Sequence, residues 1–194
     1  MLSDRFTTLI ERIDTRNGQD PNTELVGGVA RPRELVYSQR LTEWVLRLNP
    51  EASEALRIAA RGQHICRWTI PRERYEKNRR GYLRWRETLK TFHADTVAQL
   101  MQDVGYPGEV IERVRALISK RHLETDPDVQ VLEDALCLVF LQTQFAELRQ
   151  KTPDDKMREI LRKTWKKMNP QGRQAALQLP LPEEEREFIR QAVS

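Results

Sequence analysis

Val131-Leu132-Glu133-Asp134-Ala135-Leu136-Cys137-Leu138-Val139-Phe140-Leu141 is the most apolar run of the 194-residue chain, yet it holds two acids. It is too short to span a bilayer, and Asp126-Pro127 just ahead of it is a helix start, with Asp as the cap and Pro at the first helical position. On a helix, Asp134 has Val131, Cys137, Leu138 and Leu141 as neighbours, and Glu133 has Val129, Leu136, Cys137 and Phe140. At least one carboxylate therefore enters the core. A buried carboxylate is costly without a partner, so it needs an arginine such as Arg61 or Arg67, or a ligand or catalytic role.

Moving outward, the same 3.6-residue period recurs almost without a break. Phe6, Leu9, Ile10 and Ile13 mark a first helix, and Asn17 to Pro32 reads as a long loop. A second helix covers Glu34 to Leu48. Asn49-Pro50 punctuates, and a third helix is predicted over Glu51 to Arg67. A basic connection, Arg72 to Asn78, leads to a long helix from Arg79 to Val104, stopped by Gly105. Pro107, Thr152-Pro153, Asn169-Pro170 and Pro180 with Pro182 introduce further helices. No strand pattern bounded by hairpin turns is visible, nor a Gly-rich phosphate loop. The expectation is an all-α, single-domain helical bundle.

Composition narrows the function. The N-terminus lacks a basic segment followed by an apolar run, no stretch is long enough to span a membrane, and Cys66 and Cys137 are the only cysteines. These features predict a reduced, cytoplasmic protein without a membrane association. The net charge of +4 is unevenly spread: residues 57 to 90 hold eleven Lys and Arg against three Glu. Such a block is either a solvated basic face or a site for phosphate or nucleic acid. Trp68, Tyr75, Tyr82 and Trp85 interleave with it, a mixture suited to stacking bases while arginines hold phosphates; Tyr82 and Trp85 also fit the core period of the long helix. A second basic cluster, Arg162, Lys163, Lys166 and Lys167, surrounds Trp165.

Within the block, Ala59-Ala60-Arg61-Gly62-Gln63-His64-Ile65-Cys66-Arg67-Trp68 reads as a core helix with Arg61, His64 and Arg67 on one stripe. Two cations beside an imidazole keep His64 neutral, free to act as base, donor or ligand near an anion. His93 faces inward between Leu89 and Val97, and Asp95 faces water. His122 reads as exposed.

Tyr37-Ser38-Gln39-Arg40, Ala59 to Ile65, His93-Ala94 and Leu132-Glu133-Asp134-Ala135, in that order, resemble the HD-domain metal-dependent phosphohydrolases over about residues 34 to 142, leaving a C-terminal helical extension over about 152 to 194. The resemblance implies an HD-like bundle and a divalent metal held by His64, His93 and Asp134. It sets Tyr37 where the family has its first His, Gln63-His64 at the His-Asp dyad, and Lys120 where some members have another His. The whole chain also resembles the domain of unknown function 4202 family, through Tyr-Ser-Gln-Arg, Gln-His-Ile-x-Arg-Trp, Gly-Tyr-Leu-x-Trp-Arg, Leu-Glu-Asp and Lys-Thr-Trp-Lys-Lys-Met.

Two functions follow. One is a hydrolase of a phosphorylated substrate with an altered metal site: His64, His93, Glu133 and Asp134 catalyse, and Tyr37, Arg61, Gln63, Arg67, Arg72, Arg86 and Lys120 hold an anionic small molecule or nucleotide. The other is a non-catalytic module that binds RNA or a nucleotide through the basic block. A scaffold that contacts another protein is a third, blander reading.

Overall fold

A computed structural model describes residues 3–121 and 125–193; His122 lies outside the described residues. The fold is all-α apart from one short hairpin. The chain forms two compact units, Met1–Glu43 with Glu51–Arg121, and Trp44–Pro50 with His122–Ser194. Among the described residues no helix is long and apolar enough to cross a membrane.

In the first unit, α1 (Asp4–Asn17) starts where the Ser3 hydroxyl accepts the Phe6 N–H. The segment expected as loop then forms a hairpin, β1 (Thr23–Val26) against β2 (Val29–Pro32). Its signal was Gly27-Gly28: both have positive φ, 58° and 82°, the twist that a two-residue hairpin turn requires. Glu24 pairs with Arg40 of α2 (Arg33–Leu48), which ties the ribbon to that helix. The buried Asp20 carboxylate caps α2 by accepting the Glu34 N–H at 3.0 Å.

α3 is shorter than the period predicted, running Glu54–Gly62, with Ser53 rather than Asn49 as its cap. A Cβ on Gly62 would lie 2.4 Å from the Val97 side chain, so the helix end and α4 (Arg79–Asp103) approach closely there. α5 (Gly108–Ile118) packs on both α3 and α4. Leu9, Ile13, Leu41, Leu56, Ile58, Ile65, Met101, Leu117 and Ile118 are fully buried in this unit.

The second unit is built on the apolar run, which is α6 (Pro127–Thr143); Asp126 caps it, accepting from the N–H groups of Asp128 and Val129. α7 (Phe145–Gln150), α8 (Asp154–Lys167), α9 (Pro170–Leu177) and α10 (Glu183–Val193) follow. Leu138, Leu141, Phe145, Met157, Leu161, Phe188 and Ile189 make its core.

Candidate functional site

The turn after α3 positions the site. Because α3 stops at Gly62, His64 and Arg67 are not on a helix with Arg61; they lie in a chain reversal that Cys66 completes in the left-handed region, at φ 52°. Asn17, buried at the end of α1, accepts the Cys66 N–H at 3.1 Å and holds this otherwise strained backbone. Arg67 N–H bonds the His64 carbonyl, so these two residues share one turn.

Around this turn the structure gathers Tyr37, His64, Arg67 and His93. Tyr37 from α2 stacks on His64 with ring centroids 4.2 Å apart, and His93 from α4 lies 5.8 Å from His64 on a tilted ring. The Ile65 carbonyl is 2.9 Å from Nδ1 of His93. A carbonyl only accepts, so Nδ1 carries the proton, and in the neutral ring Nε2 is left as a bare acceptor. That Nε2 is buried without a hydrogen-bond partner, on a side chain only 2 % exposed. Burial holds the pKa of His93 well below the imidazole range; neighbouring His64 adds to this, while the Ile65 bond opposes it. His64 is lowered for the same first reason, then by the charges of Arg67, Lys120 and Arg86. Both imidazoles are therefore neutral at pH 7.

Glu34, which the sequence marked only as the start of a helix, completes the cluster. Its Oε2 lies 3.5 Å from His64 Nδ1, without hydrogen-bond geometry, and its Oε1 lies 4.0 Å from Arg67 Nε. Burial pushes its pKa up to about 7, with Arg67 pulling the other way and Asp20 adding to the rise. The one hint in the sequence was its spacing, three residues before Tyr37, which places both on one helix face. Arg67 lies over the Trp85 ring, 4.8 Å from its centroid, and Arg86 lies over Tyr82 at 6.0 Å.

The remaining candidates have structural employment. Arg61 forms a bidentate pair with Asp14, both contacts at 2.6 Å. Gln63 donates to the Ile118 carbonyl, and Arg72 ties together the carbonyls of Tyr75, Glu76 and Asn78. Lys120 adopts positive φ, 53°, just past α5, and reaches the site through its charge on His64. Asp95 is exposed and pairs with Arg115.

Glu133 and Asp134 belong to the second unit and are both buried there. Glu133 pairs with Lys167 at 3.2 Å. Asp134 accepts from the Asn169 N–H and from Gln130 Nε2, each at 3.0 Å, which pins the α8–α9 junction to α6. Burial outweighs these two bonds and pushes its pKa up to about 6.

The resemblance to metal-dependent phosphohydrolases implied a divalent ion. Among the described residues no group of three or more His, Cys, Asp or Glu side chains is arranged to hold one, and Nδ1 of His93 is committed to a carbonyl. The side chains that do converge around His64 suit proton transfer beside cations better than a three-ligand metal set.

A family model described as domain of unknown function (DUF4202) matches residues 7–189. No curated protein and no solved structure matches the chain.

Proposed function

The chain belongs to the DUF4202 family, whose description carries no activity, so its site is the ground for its function, and we propose that it binds a phosphorylated ligand at the His64 turn and hydrolyses its phosphate ester. The observation that carries this reading is the bare, buried Nε2 of His93, whose ring lies next to His64, which in turn adjoins a protonatable Glu34, with Arg67, Arg86 and Lys120 supplying positive charge. Arginine and lysine hold phosphoryl oxygens, and phosphoryl transfer needs little beyond positioning and charge stabilisation. In the proposed step a water oxygen bonds to phosphorus and its proton passes to His93 Nε2. The ester P–O bond breaks, and the departing oxygen takes the proton of the Glu34 carboxylic acid. A carboxyl with a pKa near 7 is ready for that role, and His93, unprotonated at the same pH, offers Nε2 as the proton acceptor. The HD-like relationship belongs to this proposal too, as an analogous use of a helical bundle for phosphate chemistry.

The test is calorimetric binding of inorganic phosphate and nucleoside monophosphates, together with release of phosphate from the monophosphates. His93→Asn keeps a donor for the Ile65 carbonyl but removes Nε2. It is expected to bind ligand as the native protein does and to lose turnover by about a hundredfold or more. Undiminished turnover in that variant sinks the catalytic assignment. Binding with no turnover in the native protein supports the second reading, a binding module; no binding of any phosphorylated compound refutes both.

A further inference from the structure

Residues 72 to 90 carry eight Lys and Arg against three Glu, and the structure sorts these cations by use. Arg72 is spent on three carbonyls of its own loop, Arg74 reaches the Thr69 carbonyl, Lys90 pairs with Glu87, and Arg86 covers Tyr82. Lys77, Arg79, Arg80 and Arg84 remain. All four are exposed, and none has an acidic partner among the described residues. Two of them occupy the first turn of α4, which contains no acid. The start of a helix is its positive end and favours carboxylates, so this arrangement sets like charge against like charge. Folding gains nothing from it; a bound polyanion would neutralise it.

The first turns of α4 also expose Tyr82 (42 %), one turn after Arg79, and Leu83 (54 %), one turn after Arg79 and Arg80. From Tyr82 a continuous series of rings and guanidinium groups leads inward. Tyr82 meets Trp85 at 6.0 Å, Trp85 carries Arg67 on its face, and Arg67 adjoins Glu34 and His64. The series is held in place. Trp85 Nε1 bonds the Ile70 carbonyl, Asn78 caps α4 through the Gly81 N–H, and Arg72 fixes the loop before it. The series ends beside the buried, partnerless Nε2 of His93.

We propose that the exposed start of α4 binds a single-stranded polynucleotide that crosses it, its phosphates on Lys77, Arg79, Arg80 and Arg84, a base stacked on Tyr82, and its terminal phosphate at the His64 turn. The inference rests on the phosphate-pocket reading and names its substrate class. A cationic track punctuated by an exposed aromatic is the chemistry that single strands need, because their bases have free faces to stack. A duplex hides those faces. A lipid surface would ask for a broad apolar stripe, and Tyr82 and Leu83 alone are too little of one.

The experiment measures fluorescence anisotropy of labelled strands of about ten nucleotides, RNA and DNA, with a 5′-phosphate or a 5′-hydroxyl, from about 50 to about 200 mM salt. Four neutralised phosphates predict a slope of log K against log salt of about −3. Arg79→Glu/Arg80→Glu/Arg84→Glu is expected to lower affinity at least about tenfold and flatten that slope. It should not lower Tm, because acids suit the first turn of α4 at 79 and 80 and Arg84 is exposed without an acidic partner among the described residues, so lost binding cannot be mistaken for unfolding. Tyr82→Ala is expected to weaken strands about tenfold while leaving inorganic phosphate binding unchanged. Arg67→Ala should abolish the preference for a 5′-phosphate. No strand binding by the native protein, native-like binding by the triple variant, or capture by phosphatidylglycerol vesicles instead of strands would overturn the proposal. Equal affinity for phosphate and hydroxyl ends overturns the placement of the strand's end. Salt-sensitive strand binding without phosphate binding in the pocket refutes the pocket reading alone and supports the α4 surface.

Discussion

Replacing Glu34 by Gln should change how the first unit responds to pH, in a direction fixed by the elevated pKa of this carboxyl. An acid ionises near 4.5 in the unfolded chain, while Glu34 does so only near 7 in the fold, because the side chain is withdrawn from water. Between these values the folded state holds a proton that the unfolded state has lost. Stability therefore falls as pH rises through that window, and the full cost is present above about pH 7. The gap of about 2.5 units corresponds to about 3 kcal/mol, an upper figure since the carboxyl keeps a little access to water. His64 and His93 act oppositely: their lowered values withdraw stability as pH falls below the unfolded histidine range. The difference between Glu34→Gln and the native protein removes their part. Gln keeps the shape and cannot ionise, so the variant is expected to gain about 3 kcal/mol relative to the native protein between about pH 5 and about pH 8. Urea unfolding followed by fluorescence reads it, in a background where Trp44 and Trp165 are Phe so that Trp68 and Trp85 report the first unit. A stability difference that stays constant with pH would refute the buried, near-neutral carboxyl.

Asn17→Ala removes the acceptor of the Cys66 N–H and leaves a left-handed residue unsupported, so hydrogen exchange at Cys66 should accelerate by an amount equivalent to about 1–3 kcal/mol, with phosphate binding weakened in parallel. Unchanged exchange there would mean that the turn holds itself. Asp134→Ala strands the Asn169 N–H and the Gln130 amide, and is expected to lower the stability of the second unit by about 1–3 kcal/mol, read in urea by Trp44 and Trp165 in a background where Trp68 and Trp85 are Phe. Because the carboxyl titrates near 6 in the fold against 3.8 in the unfolded chain, the native protein loses stability as pH rises between those values, and the variant should lack that loss. A variant that keeps the native pH profile would show that Asp134 is not its source.

The sequence by itself determined what depends on neighbours along the chain. Caps at Asp126 and Asn169, the stop at Gly105 and the 3.6-residue spacing of buried positions made the helices legible, because a helix is closed by bonds between residues three and four apart. The inward aim of His93 and the entry of at least one of Glu133 and Asp134 into the core were legible for the same reason; the structure buries both. Only the tertiary structure decided the site. Helical spacing carried straight through Gly62 and set Arg61, His64 and Arg67 on one face, whereas a buried Asn17 from a distant helix stabilises the reversal at Cys66 and divides them. No local rule could weigh that contact. Glu34 does not stand out in the sequence because a glutamate in a first turn ordinarily faces water; what raises its pKa is its withdrawal from water beside His64, thirty residues away, against the opposing charge of Arg67. Residue types and their period specify helices, but the dielectric around a carboxylate, and the partner a guanidinium finds, exist only once the helices have packed.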